Sequence, residues 1–307
     1  MYVHVSNVCV THHSDPSYSC TADLDQLASF YAEVCHTPGL AKAGVSWADG
    51  SRQIAQQTIR AIGPDKVLIS ESNAEAYLGS LHAYLAIYGW KQCQMVPGFQ
   101  AVYGGWSVNI GAQGWPNDAI GMRALFAQQF VLGHVLGWLR SETILSVLNS
   151  THDRAFLRSF MRSLAQLKLE HAQYLIYGRL MHPPDIKSSN GDLLPVVSLC
   201  TQTFRNPPLH CCNYSAVVAH VWMATNQSLG VAAANTVTTP LSVTFTLRVD
   251  RHMPFAVGGQ VRVVSEDIGL IVVETVSASG LQIHTTMPAL SACVIRVEAI
   301  ARAQIEN

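Results

Sequence analysis

The stretch Val67-Leu-Ile-Ser-Glu-Ser-Asn-Ala-Glu75 decides how the first half of this chain is read. A β-rich run ends in a carboxylate at Glu71 and passes at once into polar residues, as a barrel strand does where it opens onto its loops. In α/β barrels the chemistry sits on that carboxyl-end face. A helical pattern over 49–62 and the turn Gly63-Pro64-Asp65 precede it, and strand-helix-strand alternation implies parallel pairing. A glutamate walled by apolar groups at such a rim has its pKa raised and suits general acid/base work. The structural alternative is a Glu that caps the following helix. Glu75, in that helix's first turn, fits this second role better.

Working outward, the alternation continues. The apolar run at 2–5 reads as a buried strand, as do 82–85, 98–103 and 135–139, with helices across 118–130 and through Phe156, Phe160, Leu164, Leu167, His171 and Tyr174. Strands 1–5, 67–70 and 98–103 are expected to lie parallel in one sheet, with Glu71 at its carboxyl-end rim. Residues 183–208, rich in Pro, Ser and Asn, read as a connection. After it come seven short Val-, Ile- and Thr-rich runs separated by turn residues, the signature of an antiparallel β-sandwich. The expected fold is α/β plus all-β: strand-helix alternation of the barrel kind over 1–182, then a sandwich over 209–307 that carries no catalytic group.

Composition limits the function. The 307 residues are 49% hydrophobic and only 13% charged, which excludes disorder. Nineteen Lys+Arg against twenty Asp+Glu, without a basic cluster, argue against nucleic acid as a partner. No apolar run approaches the roughly 18 residues a membrane-spanning helix needs, and Met1–Val10 lacks the cationic start of a secretory signal. Three Asn-x-Ser/Thr sequons, at Asn149, Asn213 and Asn226, pull weakly toward a secreted origin. The eight cysteines form no Cys-x-x-Cys pair, and His12-His13 lacks a helical metal-binding partner motif, so neither metal nor cofactor is expected. Gly44-Val-Ser-Trp-Ala48 is an incomplete nucleophile elbow. Tyr103 and Trp106 offer flat apolar faces to a sugar ring, or else pack inside the barrel.

Several segments carry a resemblance. Tyr2-Val-His4, Cys35-His-Thr-Pro-Gly39, Ser70-Glu-Ser-Asn-Ala-Glu-Ala-Tyr77, Val96-Pro-Gly-Phe-Gln-Ala-Val-Tyr-Gly-Gly-Trp106 and Gln128-Gln-Phe-Val-Leu-Gly-His-Val-Leu-Gly-Trp138 stand in the order of motifs in a largely uncharacterised glycoside-hydrolase-like family. In that family a (β/α)8 barrel is followed by a β-sandwich, whose start resembles Ala216–Trp222 and Leu229–Asn235, so the resemblance implies a partial (β/α)8 barrel over 1–182, its C-terminal half, and a sandwich over 209–307. The resemblance implies Glu71 as acid/base, and His36, Asn73, Glu75, Tyr103, Trp106 and His134 along the bound carbohydrate. It also marks two departures: His4 stands where the family has an aspartate, and His134 where it has a glutamate.

Glycosidases need two carboxyl groups, about 5–5.5 Å apart for retention or about 6.5–9.5 Å for inversion, and Glu71 alone does not supply them. Asp15, in the loop after the first strand, is the candidate substitute. A protonated His4 beside Glu71 lowers the pKa of that carboxyl and weakens it as an acid. About five strands precede Pro183, against the eight a closed barrel requires, so a missing N-terminal barrel segment is the expected partner and the activity is expected to be impaired. The alternative is a non-catalytic relative that binds carbohydrate or protein.

Overall fold

The computed structural model describes residues 41–70, 77–85, 97–111, 118–137, 151–191, 193–201, 210–252, 255 and 257–300. The chain divides into two units, Met1–Leu85 and Ala86–Asn307.

In the first unit, helix α1 (Ala41–Ile62) ends on Gly63, whose φ of 84° lets its N–H return to the Ile59 carbonyl at 3.1 Å. Strand β1 (Ile69–Ser70) pairs in parallel with β2 (Ala83–Leu85), Ile69 opposite Ala83 and Ser70 opposite Tyr84. His82 extends this ladder: its N–H donates to the Leu68 carbonyl and its Nδ1 accepts from the Leu68 N–H, each at 3.0 Å. Segment 67–70 is thus paired in parallel, with 83–85, whereas 98–103, expected beside it as a strand, is helical. Segment 1–5 lies outside the described residues.

The second unit opens with a correction. Residues Gly98–Tyr103, read from sequence as a strand, form helix α2. Pro97, at φ −75°, is suited to a helix start, where its missing N–H costs nothing. Phe99 and Tyr103 then meet one turn apart, ring centroids 5.1 Å. Strand β3 (Val108–Ile110) follows, then helix α3 (Ala119–Val131), N-capped by Asp118, whose carboxylate accepts from the Gly121 N–H at 2.6 Å. Beyond it the chain returns parallel to β3: the Val135 N–H donates to Asn109 and the Gly111 N–H to Val135, at 2.8 and 2.7 Å. This is a β-α-β passage; of the strand expected over 135–139, the described residues 135–137 carry a single bridge. Helices α4 (Thr151–Glu170) and α5 (Ala172–Leu175) complete the helical part.

The rest is antiparallel. The strands are β4 (Arg179–Leu180), β5 (Asp185–Ser188), β6 (Val196–Thr201), β7 (His210–Ser215), β8 (Val217–Met223), β9 (Leu229–Asn235), β10 (Leu241–Leu247), β11 (Gln260–Ser265), β12 (Leu270–Thr275), β13 (Leu281–Met287) and β14 (Ala292–Ala299). The seven runs expected after Pro208 correspond to β8 through β14, with a helical turn at Val249–His252 and a 3-10 turn at Glu266–Ile268 between them. The stretch 183–208 differs from its reading as a bare connection, because it holds β5 and β6. Pro183-Pro184 stop a helix but tolerate the start of an edge strand, and β5 is the edge of its sheet.

One sheet runs β12-β11-β14-β9-β8-β4, a second β13-β10-β5, and β6-β7 form a hairpin. The middle strands of the first sheet, β14, β9 and β8, are buried on both faces, whereas its edge strand β12 is exposed. Val217, Val231, Ile295 and Val263 share a core with Phe245 and Ile283 of the smaller sheet. On the opposite face Trp222, Ala232, Ala234 and Val294 pack against Phe126, Phe130 and Leu164 of α3 and α4. The protein is thus mixed α/β, with a helical layer, a long antiparallel sheet and a short one.

Close approach of α5 to the sheet depends on Gly230. A Cβ there would sit 2.7 Å from the ring of Tyr174, whose hydroxyl lies 2.9 Å from Ser228 Oγ. Gly230→Ala should therefore cost about 1–3 kcal/mol by displacing that ring, while Tyr174→Phe, which removes only the hydroxyl, should cost about 1 kcal/mol. Urea unfolding of the two variants checks this. Equal stabilities would show that the helix docks by another contact.

Candidate functional site

Of the nine candidate residues, Glu71, His4, Asp15, His36, Asn73 and Glu75 lie outside the described residues. Tyr103, Trp106 and His134 are described, all in the second unit.

Tyr103 closes α2. Its carbonyl accepts from the Trp106 N–H at 2.9 Å and from the Ser107 N–H at 3.0 Å, which winds the chain through Gly104-Gly105. Gly104 is required by proximity and not by a left-handed backbone: at φ −56° a Cβ would lie 2.5 Å from the Gln100 carbonyl oxygen. Trp106 leaves this turn 85% exposed. Beneath it, Gln100 and Asn109 are buried and joined by a hydrogen bond from Asn109 Nδ2 to Gln100 Oε1. That bond fixes α2 against β3.

His134 is the opposite of Trp106 in exposure, with none of its surface open. It follows Gly133, whose φ of 68° reverses the chain after α3; a Cβ on Gly133 would come within 2.7 Å of both the Leu175 carbonyl and the Trp222 ring. The His134 N–H donates to the Gln129 carbonyl at 2.8 Å. The Gln129 side chain in turn accepts from the Gly137 N–H at 3.1 Å. From α4, Lys168 Nζ donates to the Gly133 carbonyl at 2.5 Å. Burial above all, with the Lys168 cation beside it, pushes the His134 imidazole down to about 3, and a hydrogen bond with the Gly111 backbone partly opposes both. Burial also lowers Lys168, to about 8.

The imidazole is therefore neutral at pH 7 and enclosed. It cannot supply the negative charge of the glutamate that the resemblance expects at its position. Sequence reading had picked out the Gln-Gln-Phe-Val-Leu-Gly-His segment but missed Lys168, which reaches Gly133 across 35 positions of sequence. Among the described residues, no group of three His, Cys, Asp or Glu could hold a metal ion, and no helix is long and apolar enough to cross a membrane.

The fold and this cluster define a mixed α/β protein with a β-α-β passage leading into antiparallel sheets. In sequence it is similar to a Monosiga brevicollis protein named "Putative glycoside hydrolase 22789", with 25% identity over 183 residues. The match covers 52% of this chain and 15% of that protein, so the chain spans a small part of its relative's length. No family model matches. Among solved structures it is similar to an α-galactosidase from Saccharomyces cerevisiae, with TM-score 0.41 and 8% identity over 82% of this chain and 69% of that one. It is also similar to a GH30 endoxylanase from Clostridium papyrosolvens, with TM-score 0.33 and 11% identity over 82% and 61% of the two chains.

Proposed function

We propose that the chain comes from a carbohydrate-acting glycoside hydrolase lineage, with a partial (β/α)8 barrel over about residues 1–182 and a β-sandwich over 209–307. The sequence relationship over 183 residues carries this reading. The parallel pairs β1-β2 and Ile110-Val135, the second closed over α3, support the barrel part. The shared core of the two antiparallel sheets supports the sandwich part.

In this reading Glu71 is the general acid/base, with His36, Asn73, Glu75, Tyr103 and Trp106 as sugar contacts. His4 takes the place of the second carboxylate and Asp15 is its candidate substitute. A neutral His4 supplies no negative charge to an oxocarbenium-like transition state. A protonated His4 holds the Glu71 carboxyl ionised, when the leaving group needs its proton. Both effects reduce turnover. The complete burial of His134 favours the second reading, a non-catalytic relative that binds carbohydrate or protein.

Turnover of a panel of aryl glycosides distinguishes the two readings. The unmodified chain is expected to show little or no hydrolysis, and His4→Asp to raise it by about 10²-fold or more, an increase that Glu71→Gln abolishes. Strong turnover by the unmodified chain, lost in Glu71→Gln, would show that another carboxylate such as Asp15 serves. No hydrolysis by His4→Asp would favour the non-catalytic reading.

A further inference from the structure

The second unit exposes two large aromatic side chains carried on neighbouring pieces of backbone. Trp106 is 85% exposed and Tyr177 69% exposed. They emerge from adjacent pieces of backbone: a Cβ on Gly105, the residue before Trp106, would lie 3.9 Å from the Tyr177 carbonyl oxygen. Both positions are fixed from below. The Trp106 N–H is held by Tyr103 at 2.9 Å, and the Tyr177 N–H by Ala172 at 3.0 Å, while the buried Tyr174 and Leu175 anchor α5.

Two residues beyond Tyr177, Arg179 opens the edge strand β4 and is exposed, whereas Leu180 turns into the core. Among the described residues Arg179 makes no ion pair. Large aromatics left in water lose the burial that ordinarily stabilises them, so a rigid exposed pair marks a contact surface. Flat faces suit the C–H face of a sugar ring, and a guanidinium suits a carboxylate, which it can grip through two parallel hydrogen bonds.

We infer that Trp106, Tyr177 and Arg179 form a surface that binds a glycan carrying carboxylate groups, such as a chain of hexuronates. The inference rests on the carbohydrate reading above and narrows its ligand to an acidic sugar. Charge complementarity selects that occupant over a neutral glycan. Tyr177 and Arg179 belong to none of the segments that carry the family resemblance.

Affinity electrophoresis of the full chain through gels containing polygalacturonate, or neutral hydroxyethylcellulose, tests it. The expected result is retardation by polygalacturonate and not by the neutral polymer. Trp106→Ala and Tyr177→Ala should each weaken retention about tenfold. Arg179→Gln should do the same, and Arg179→Lys should recover part of the loss. All three side chains are exposed, so an unchanged far-UV circular dichroism spectrum is expected and verifies folding. Retention together with no hydrolysis of any aryl glycoside by His4→Asp would leave this binding surface standing while removing the hydrolase reading. Absence of retention, equal retention in both gels, or retention that survives both aromatic substitutions overturns the inference.

Discussion

Replacing Asn235 by aspartate is expected to destabilise the protein by about 3 kcal/mol or more at neutral pH. Asn235 ends β9 with no exposed surface. Its Nδ2 lies 2.9 Å from the Thr239 carbonyl, 2.9 Å from that of Pro288 and 3.3 Å from that of Met287. Its Oδ1 accepts from the Val237 N–H at 3.1 Å. The amide thus ties the ends of β9 and β13 to the turn that leads into β10.

An aspartate keeps the acceptor but sets a buried negative charge against three carbonyl oxygens. Desolvation and those dipoles raise its folded pKa above the unfolded value of about 3.9. The penalty is therefore full above the folded pKa and shrinks as pH falls toward the unfolded one, where protonation restores one donor. Urea unfolding of both proteins at pH 7 and pH 5 should show the gap narrowing at pH 5. A gap below about 1 kcal/mol at pH 7 would mean that the three carbonyls find other donors.

Mild acid alone should weaken the unsubstituted chain by about 2 kcal/mol or more between pH 7 and pH 5. His134, at about 3 in the folded state, titrates near 6.5 once unfolded. Between those values only the unfolded chain takes up the proton, so stability falls with pH by about 1.4 kcal/mol per unit. The effect is absent above about pH 6.5 and ends near pH 3. His220, lowered to about 4 chiefly by burial, acts in the same direction. Its side chain keeps some accessible surface, and its share should be the smaller one. His134→Gln should remove about one proton from the slope of stability against pH. Equal stability of the original chain at pH 7 and pH 5 would contradict an enclosed neutral imidazole.

The antiparallel part of the fold was legible because its strands alternate. Val243, Phe245 and Leu247 point inward, while Ser242 between the sheets' ends stays exposed, and period two leaves few alternatives. Helix α3 was legible as a helix across 118–130, and the structure adds Asp118 as its cap. The segment 98–103 was misread because a Pro-led apolar hexapeptide suits a strand or one and a half helical turns. Only the Phe99-Tyr103 contact and the buried Gln100-Asn109 bond decide between them, and Asn109 lies beyond the segment. Strand β5 hid in turn-forming composition because it takes its partner, β10, from far along the chain.

At the candidate site, Trp106 was legible as an available aromatic. The enclosure of His134 was not, since it depends on Lys168 and Gly111, brought in by tertiary packing. Arg179 and Tyr177 were passed over because their significance lies in exposure next to Trp106, which neighbouring residues in sequence do not reveal.

Strand β9 has all seven residues buried, with alternate side chains committed to opposite layers. Val231 and Ala233 belong to the core shared with the smaller sheet, and Ala232 and Ala234 to the core under the helices. Neither layer can lift away without uncovering one side of the same strand, and β9 cannot leave without opening both. The helical and antiparallel parts of the second unit are therefore coupled into a single cooperative transition, and loss of one should propagate to the other instead of leaving a stable remnant.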